Sequence, residues 1–255
     1  MTCAELYALL NERIPASLSC KWDNDGLMCC PEPHREVRRV LVALDITGRV
    51  IDEAIDGGYD AIVSHHPLIF APLRALDPTD PVAAKLMRLV RAGVSAMSFH
   101  TRLDAVAGGV NDALAAAVGL QNTKAFGADG EAIGRIGELE APATLADFAK
   151  TVKRALGADG VQAVDAGRPV WRVAVLGGSG SDDVRAAISA GADTYLSGEL
   201  KHNYLTDAPD MGINLLAAGH FYTEDPVCSV LRDWILQAAP QAEVAITNSN
   251  TTHLF

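Results

Sequence analysis

No stretch of the 255-residue chain reaches the roughly 18 uninterrupted apolar residues of a membrane-spanning helix. The start, MTCAELYALLNERIP, has no basic segment leading into a long apolar one. A cytoplasmic protein with no membrane partner is expected from these two absences. Basic charge is also short: 21 Lys and Arg stand against 32 Asp and Glu, giving a formal net charge of -11 and a pI near 5.0. That balance argues against an affinity built on nucleic-acid phosphates, while a local basic pocket for a small anion stays open. Cysteine is sparse and unpatterned. Cys3, Cys20, Cys29, Cys30 and Cys228 are odd in number and lack a C-x-x-C spacing, so reduced thiols without a catalytic role are expected. The vicinal pair cannot readily bridge to itself. The glycine-rich LGGSGSDDV (176–184) lacks the G-K-[ST] of a phosphate loop and the spacing of a dinucleotide fingerprint. Asp182 and Asp183 would repel a phosphate there and read as helix-capping acids.

What the chain does have is apolar mass, 49% of its residues, enough for one large core or two smaller ones. VRRVLVALD reads as a buried strand, GRVIDEAIDGG as a helix stopped by glycine, and YDAIVS as the next strand. DPVAAKLMRLVRAG, VSAMSF and GGVNDALAAAVG continue as helix, strand and helix. Parallel α/β architecture follows from the alternation.

The pattern occurs twice. A shift of 133 residues lays 37–64 on 170–197 without a gap, and nine of the 28 positions are identical, including Val40/Val173, Gly58/Gly191, Asp60/Asp193 and Ser64/Ser197. Two unrelated βαβ units would share some Val, Ala and Gly, but the absence of gaps favours duplication. With the offset changed to 120, SFHTRLD (98–104) lies on AGHFYTE (218–224), so that His100 falls on His220 and Asp104 on Glu224. The expected fold is α/β: two intertwined, duplicated repeats with mixed, mostly parallel sheets, residues 1–125 and 126–255, with a metal site between them.

In open α/β sheets, binding groups gather beyond the carboxyl ends of the strands. SHHP, HTRLD and GHFYTE all sit at such ends, so His65, His66, Asp104, His220 and Glu224 are expected to converge. Neighbours on a regular strand point to opposite faces, but Pro67 holds His66 extended and ends the ladder, allowing the backbone to turn. Two histidines aimed differently suit two metal ions, with a carboxylate, Asp104 or Glu224, as the bridge. Imidazole and carboxylate without thiolate fit Zn, Fe, Mn or Ni, two divalent ions per chain. A single histidine after an apolar strand is more often a satisfied core or loop residue, and it is the constellation that makes the case. His100 either holds Asp104 or touches substrate. KWDNDGL (21–27), taken alone, reads as a turn with Asx-type hydrogen bonds.

WDNDGL, SHHPLIF, HTRLDAVAGGVNDALA, GGSGS, SGELKHN and AGHFYTE, in this order and spacing, resemble the family of GTP cyclohydrolase 1 type 2 homologues, also called NIF-three-like proteins. The resemblance covers nearly the whole chain. It implies two intertwined α/β repeats, two metal ions held by residues matching His65, His66, Asp104, His220 and Glu224, and a ring-shaped homohexamer. Phe221 stands where many relatives carry a second histidine, and His202 lies in a motif that varies among them; it is grouped with His100 as a residue that either supports the metal ligands or touches substrate. Some relatives carry a large domain between the halves, for which the connection AFGADGEAIG is too short. The family name implies opening of the guanine ring of GTP with loss of formate, chemistry within reach of a water nucleophile activated by metals. A metal-dependent hydrolase acting on a nucleotide or small phosphorylated substrate is the leading expectation, with Glu224 a possible catalytic residue. A metal-binding scaffold, adaptor or metal-handling protein is the alternative, since fold does not fix function. DNA binding through an annular hole would require a locally basic bore.

Overall fold

The computed structural model describes residues 1–128 and 132–253; residues 129–131, in the middle of the AFGADGEAIG connection, lie outside the described residues. The chain forms two compact units. The first comprises Met1–Val106 and Cys228–Thr251, and the second comprises Ala107–Val227 with the last residues from Thr252.

In the first unit α1 (Cys3–Arg13), β1 (Gly26–Cys29), β2 (Arg39–Ala43), α2 (Gly48–Asp56), β3 (Ala61–Ser64), α3 (Pro81–Ala92), β4 (Ser95–Ser98) and α4 (Thr101–Ala105) follow one another. The second contains α5 (Val110–Ala117), β5 (Gln121–Phe126), β6 (Gly134–Ala143), α6 (Leu145–Leu156), β7 (Gln162–Val164), β8 (Val170–Ser179), α7 (Val184–Ser189), β9 (Thr194–Glu199), α8 (His202–Met211), β10 (Asn214–Ala217) and α9 (His220–Glu224). After α10 (Pro226–Ala238), β11 (Glu243–Ile246) belongs to the first unit again.

The sequence division at 125 and the observed units differ, and strand pairing gives the reason. β11 lies parallel to β2, Val244 opposite Val40, while β5 pairs antiparallel with β6. Residues 107–125 therefore go with the second unit, and 228–251 with the first.

Each unit is built on one mixed sheet. The first has the order β1-β4-β3-β2-β11 and the second β5-β6-β8-β9-β10-β7. The parallel core triplets are β2-β3-β4 and β8-β9-β10; antiparallel pairing enters through β1 and through β5, β6 and β7. Apolar runs form these strands because both faces are covered. Val173, Val175, Leu196 and Leu216 fill one face of the second sheet, and Ala174, Leu176, Tyr195 and Leu215 fill the other, the alternation that a strand imposes. Leu41, Ile62, Val50 and Leu89 make a core of the first unit.

The internal repeat is visible at atomic detail. Val40 pairs with Ala61, Val42 with Val63 and Ala43 with Ser64; their counterparts 133 residues on pair as Val173 with Thr194, Val175 with Leu196 and Leu176 with Ser197. The identical aspartates do identical work. Asp60 Oδ2 accepts from Arg38 N and Arg39 N, and Asp193 Oδ2 accepts from Trp171 N and Arg172 N. Each carboxylate pins the start of the neighbouring strand.

Candidate metal site

β3 stops at Ser64, whose Oγ donates to His66 O at 2.8 Å, and the chain bends over 65–66 while His66 N still donates to Leu44 O at 2.9 Å. The bend is the one that Pro67 predicts. His65 is buried, and its Nδ1 lies 3.0 Å from the Phe99 carbonyl. A carbonyl only accepts, so the proton is on Nδ1 and Nε2 is the ring nitrogen suited to a metal. His66 Nδ1 lies 2.7 Å from Asp45 Oδ1 and His100 Nδ1 lies 2.8 Å from Asp23 Oδ1, so both rings are oriented in the same manner. The His65 and His66 rings are 4.8 Å apart, and His100 stands 5.3 and 5.7 Å from them. These three histidines can offer ligand atoms all within 4.8 Å of one another. Asp104, one turn into α4 after His100, brings Oδ1 to 3.8 Å from His65 Nε2.

The KWDNDGL segment does more than turn. Asp23 Oδ2 accepts from Thr101 N and Thr101 Oγ1, at 3.0 and 2.6 Å. Burial alone would raise the Asp23 carboxyl, but hydrogen bonds from His100 and Thr101 outweigh it and hold the group well below the usual carboxylate range. Asp25 Oδ2 accepts from His100 N at 3.2 Å and from Arg102 Nε at 3.0 Å. Arg102 is buried; it also donates to Asn11 Oδ1 and Ile14 O and lies over the Phe99 ring. The HTRLD motif is thus anchored by its arginine as well as presenting His100 and Asp104. Sequence reading missed Asp23, Asp25, Asp45 and Arg102 as supports; the acid-rich WDND string was the available signal.

In the second unit His220 and Glu224 stand one turn apart on α9, with Nε2 and Oε2 3.1 Å from each other. His220 Nδ1 is 3.6 Å from Glu199 Oε2. Glycine lets this short helix sit so low. A Cβ on Gly178, whose φ is +66°, would run into Glu224 Oε1 and His220 Nε2; one on Gly177 would come within 2.9 Å of Glu224 Cγ, and one on Gly198 within 2.8 Å of His220 Cα. Thr223 Oγ1 accepts from Gly178 N at 3.1 Å, and Asn111 Oδ1 accepts from Gly177 N at 2.8 Å. GGSGS is the seat of the His-x-x-x-Glu helix.

Of the two aspartates that follow, Asp183 takes the N-cap position of α7 and neither makes a capping hydrogen bond. Asp183 accepts from Ala128 N, and Asp182 pairs with Lys201. A 3-10 turn over Ser181–Asp183 runs into the helix, so Asp183 holds the N-cap position with helical backbone angles (φ -94°, ψ -1°) in place of the extended ones of a capping residue. His202 opens α8 and is exposed. A cavity of about 600 Å³, lined in part by Gly198, Glu199, Ala217, Gly219 and Tyr222, lies at the carboxyl ends of β9 and β10 beside His220. Its size suits a small molecule. The five cysteines are free thiols. No helix among the described residues is long and apolar enough to cross a membrane.

Two duplicated α/β units carrying a histidine group and a histidine–glutamate pair define a protein with metal-capable clusters at its strand ends. Residues 1–253 match the family model Duf34/NIF3 (NGG1p interacting factor 3), and the chain belongs to that family. It is 31% identical over 232 residues to a GTP cyclohydrolase 1 type 2 homolog of Clostridium perfringens, covering 89% of this chain and 88% of the relative. It is 33% identical over 260 residues to Protein NIF3 homolog of Schizosaccharomyces pombe, covering 93% and 91%. The solved structure of a Bacillus cereus protein related to NIF3 shares the fold, with a TM-score of 0.91 and 24% identity over 100% of this chain and 99% of that one.

Proposed function

We propose that the chain is a cytoplasmic, metal-dependent hydrolase that holds two divalent ions (Zn, Fe, Mn or Ni) through His65, His66, Asp104, His220 and Glu224, and acts on a nucleotide or another small phosphorylated molecule. The observation that carries this reading is the group of histidines, each presented with Nδ1 engaged by a carbonyl or carboxylate. Such partners fix the tautomer and aim of metal-binding imidazoles. The donor set fits: imidazole and carboxylate suit first-row divalent ions, and no thiolate is involved. When bound, such ions polarise a phosphoryl or ring carbon substrate and make water acidic enough to attack at neutral pH.

The chain's own residues supply the rest. Asp45 and the Phe99 carbonyl hold His66 and His65 in the protonation state that presents Nε2. Glu224, buried and seated on Gly177 and Gly178, is the carboxylate suited to take the proton of the attacking water at an Oε atom. Asp104 and Glu224 would supply the carboxylate ligands of the set. The relatives' names support a nucleotide as substrate, and the resemblance of the motifs supports a homohexameric ring.

Elemental analysis of the purified protein tests this together with a turnover screen of GTP, other nucleotides and model phosphoesters, with Mn, Fe, Zn and Mg added back. The expected result is about two metals per chain with metal-restored turnover. Glu224→Gln is expected to lose at least one metal and all turnover while staying folded, and retained turnover in the metal-depleted variant ends the proposal. Two tightly held metals with no turnover on any substrate would favour a scaffold or metal-handling role instead.

A further inference from the structure

Trp22 and Phe70 are out of keeping with the segments that carry them. Trp22 is 62% exposed and Phe70 55% exposed, yet the backbone beneath them is firmly tied. Asp23 and Asp25, immediately after Trp22, bind Thr101, His100 and Arg102. Asn24 Nδ2 donates to Ile69 O at 2.5 Å, fastening the WDND segment to the one that bears Phe70. An aromatic ring left in water forgoes the hydrophobic free energy of burial, and here the loops that hold the rings out are fixed in place by buried polar groups.

The rings also have a defined mutual geometry. Trp22 and Phe70 lie 6.2 Å apart at 62°, and each lies 6.2 Å from the His100 ring, at 78° and 84°. Three ring planes approach mutual perpendicularity, forming a corner whose inner member belongs to the histidine group. A flat ring entering that corner can stack on one face and meet the others edge-on, the two arrangements that aromatic quadrupoles favour.

We infer that Trp22 and Phe70 form a stacking platform for a planar heteroaromatic ring of the substrate, a nucleobase or a ring of like size. This rests on the hydrolase reading for its site of chemistry and deepens it by naming the substrate class. Two side chains are far too small a patch for a stable protein interface, which takes about 800 Å² from each partner, but they match one base.

Calorimetric titration of the metal-free full-length protein with guanosine and adenosine, and with ribose 5-phosphate as the ring-free control, tests the platform. Wild type is expected to bind the nucleosides, and Trp22→Ala and Phe70→Ala to bind them roughly 5- to 100-fold more weakly. Trp22→Phe should restore most of the loss, which a merely structural role for the indole would not require. Nucleoside affinity unchanged in Trp22→Ala overturns the platform. So does a wild type that binds ribose 5-phosphate but neither nucleoside. A fall in oligomer mass by light scattering on Trp22→Ala would assign the pair to a second copy of this chain and overturn it as well. Turnover is not read here, so failure of the hydrolase reading shows separately, in the metal and turnover screen.

Discussion

At the scale of single residues, the site is an exercise in holding imidazoles still. Asp45 binds His66 Nδ1 at 2.7 Å and is itself held by Ser249, whose Oγ donates to Asp45 Oδ2 at 3.2 Å. Removing an outer carboxylate of this kind typically weakens metal binding 10- to 100-fold, because the ring loses both its aim and its basicity. Asp45→Ala should therefore lose about that much affinity in a chelator competition, with an unchanged far-ultraviolet spectrum. Metal affinity equal to wild type would mean that His66 is not oriented through Asp45. The histidines were legible in the sequence because two of them interrupt an apolar run before proline, a local signal. Asp45 and Asp23 were not, because each acts on a histidine from a different strand end, and that closeness exists only once the sheet has formed.

At the scale of elements, glycine decides how near a helix can come to a strand end. Gly178 combines a φ of +66° with a position where any Cβ would meet Glu224 and His220. Gly191 offers an internal control, since its φ is +86° and the nearest atom to an added Cβ is 3.9 Å away. Gly191→Ala should cost only the strain of a left-handed alanine, about 1 kcal/mol. Gly178→Ala should cost more in denaturant melts and should also lower metal content, because α9 must shift. Equal costs with full metal content in both would show that the close approach is irrelevant to the site. Strands and helices of the core were readable from apolar runs and glycine stops, signals confined to a dozen residues. The purpose of GGSGS was not, since the residues it accommodates belong to a helix two strands later. The capping role read for the aspartates after it is met by Asp183 in position only: it stands at the N-cap of α7, but the 3-10 turn ahead of the helix gives it helical backbone angles and its side chain makes no cap hydrogen bond.

At the scale of the whole molecule, the duplication was legible because the two copies keep one spacing, and the shared strand register bears this out. The unit boundaries were less so, because the place of β11 depends on a pairing with β2 some two hundred residues earlier. The same burial that makes both cores predicts how the protein fails in alkali. Burial raises the Cys3 thiol from 9.0 to about 11, with a hydrogen bond to Ser95 opposing and Cys30 adding to the rise. Burial, aided by Cys30, raises Cys29 as well. Tyr195 is pushed well above 10.0 by burial, with the charge of Asp183 adding to the rise. In each case the unfolded chain gives up its proton at a lower pH than the folded one, so folded protein holds more protons and stability falls as pH rises through that interval. The urea midpoint should therefore decline from about pH 9 upward, most steeply above the ordinary tyrosine value of 10.0. Tyr195→Phe separates the contributions. It loses the 2.8 Å bond that Tyr195 Oη donates to Gly180 O, which costs about 1 kcal/mol at neutral pH. It also removes a group whose ionisation favours the unfolded state, so its midpoint should start lower and fall less steeply above pH 10.0. Parallel declines for the two proteins would show that Tyr195 is not kept neutral by the fold.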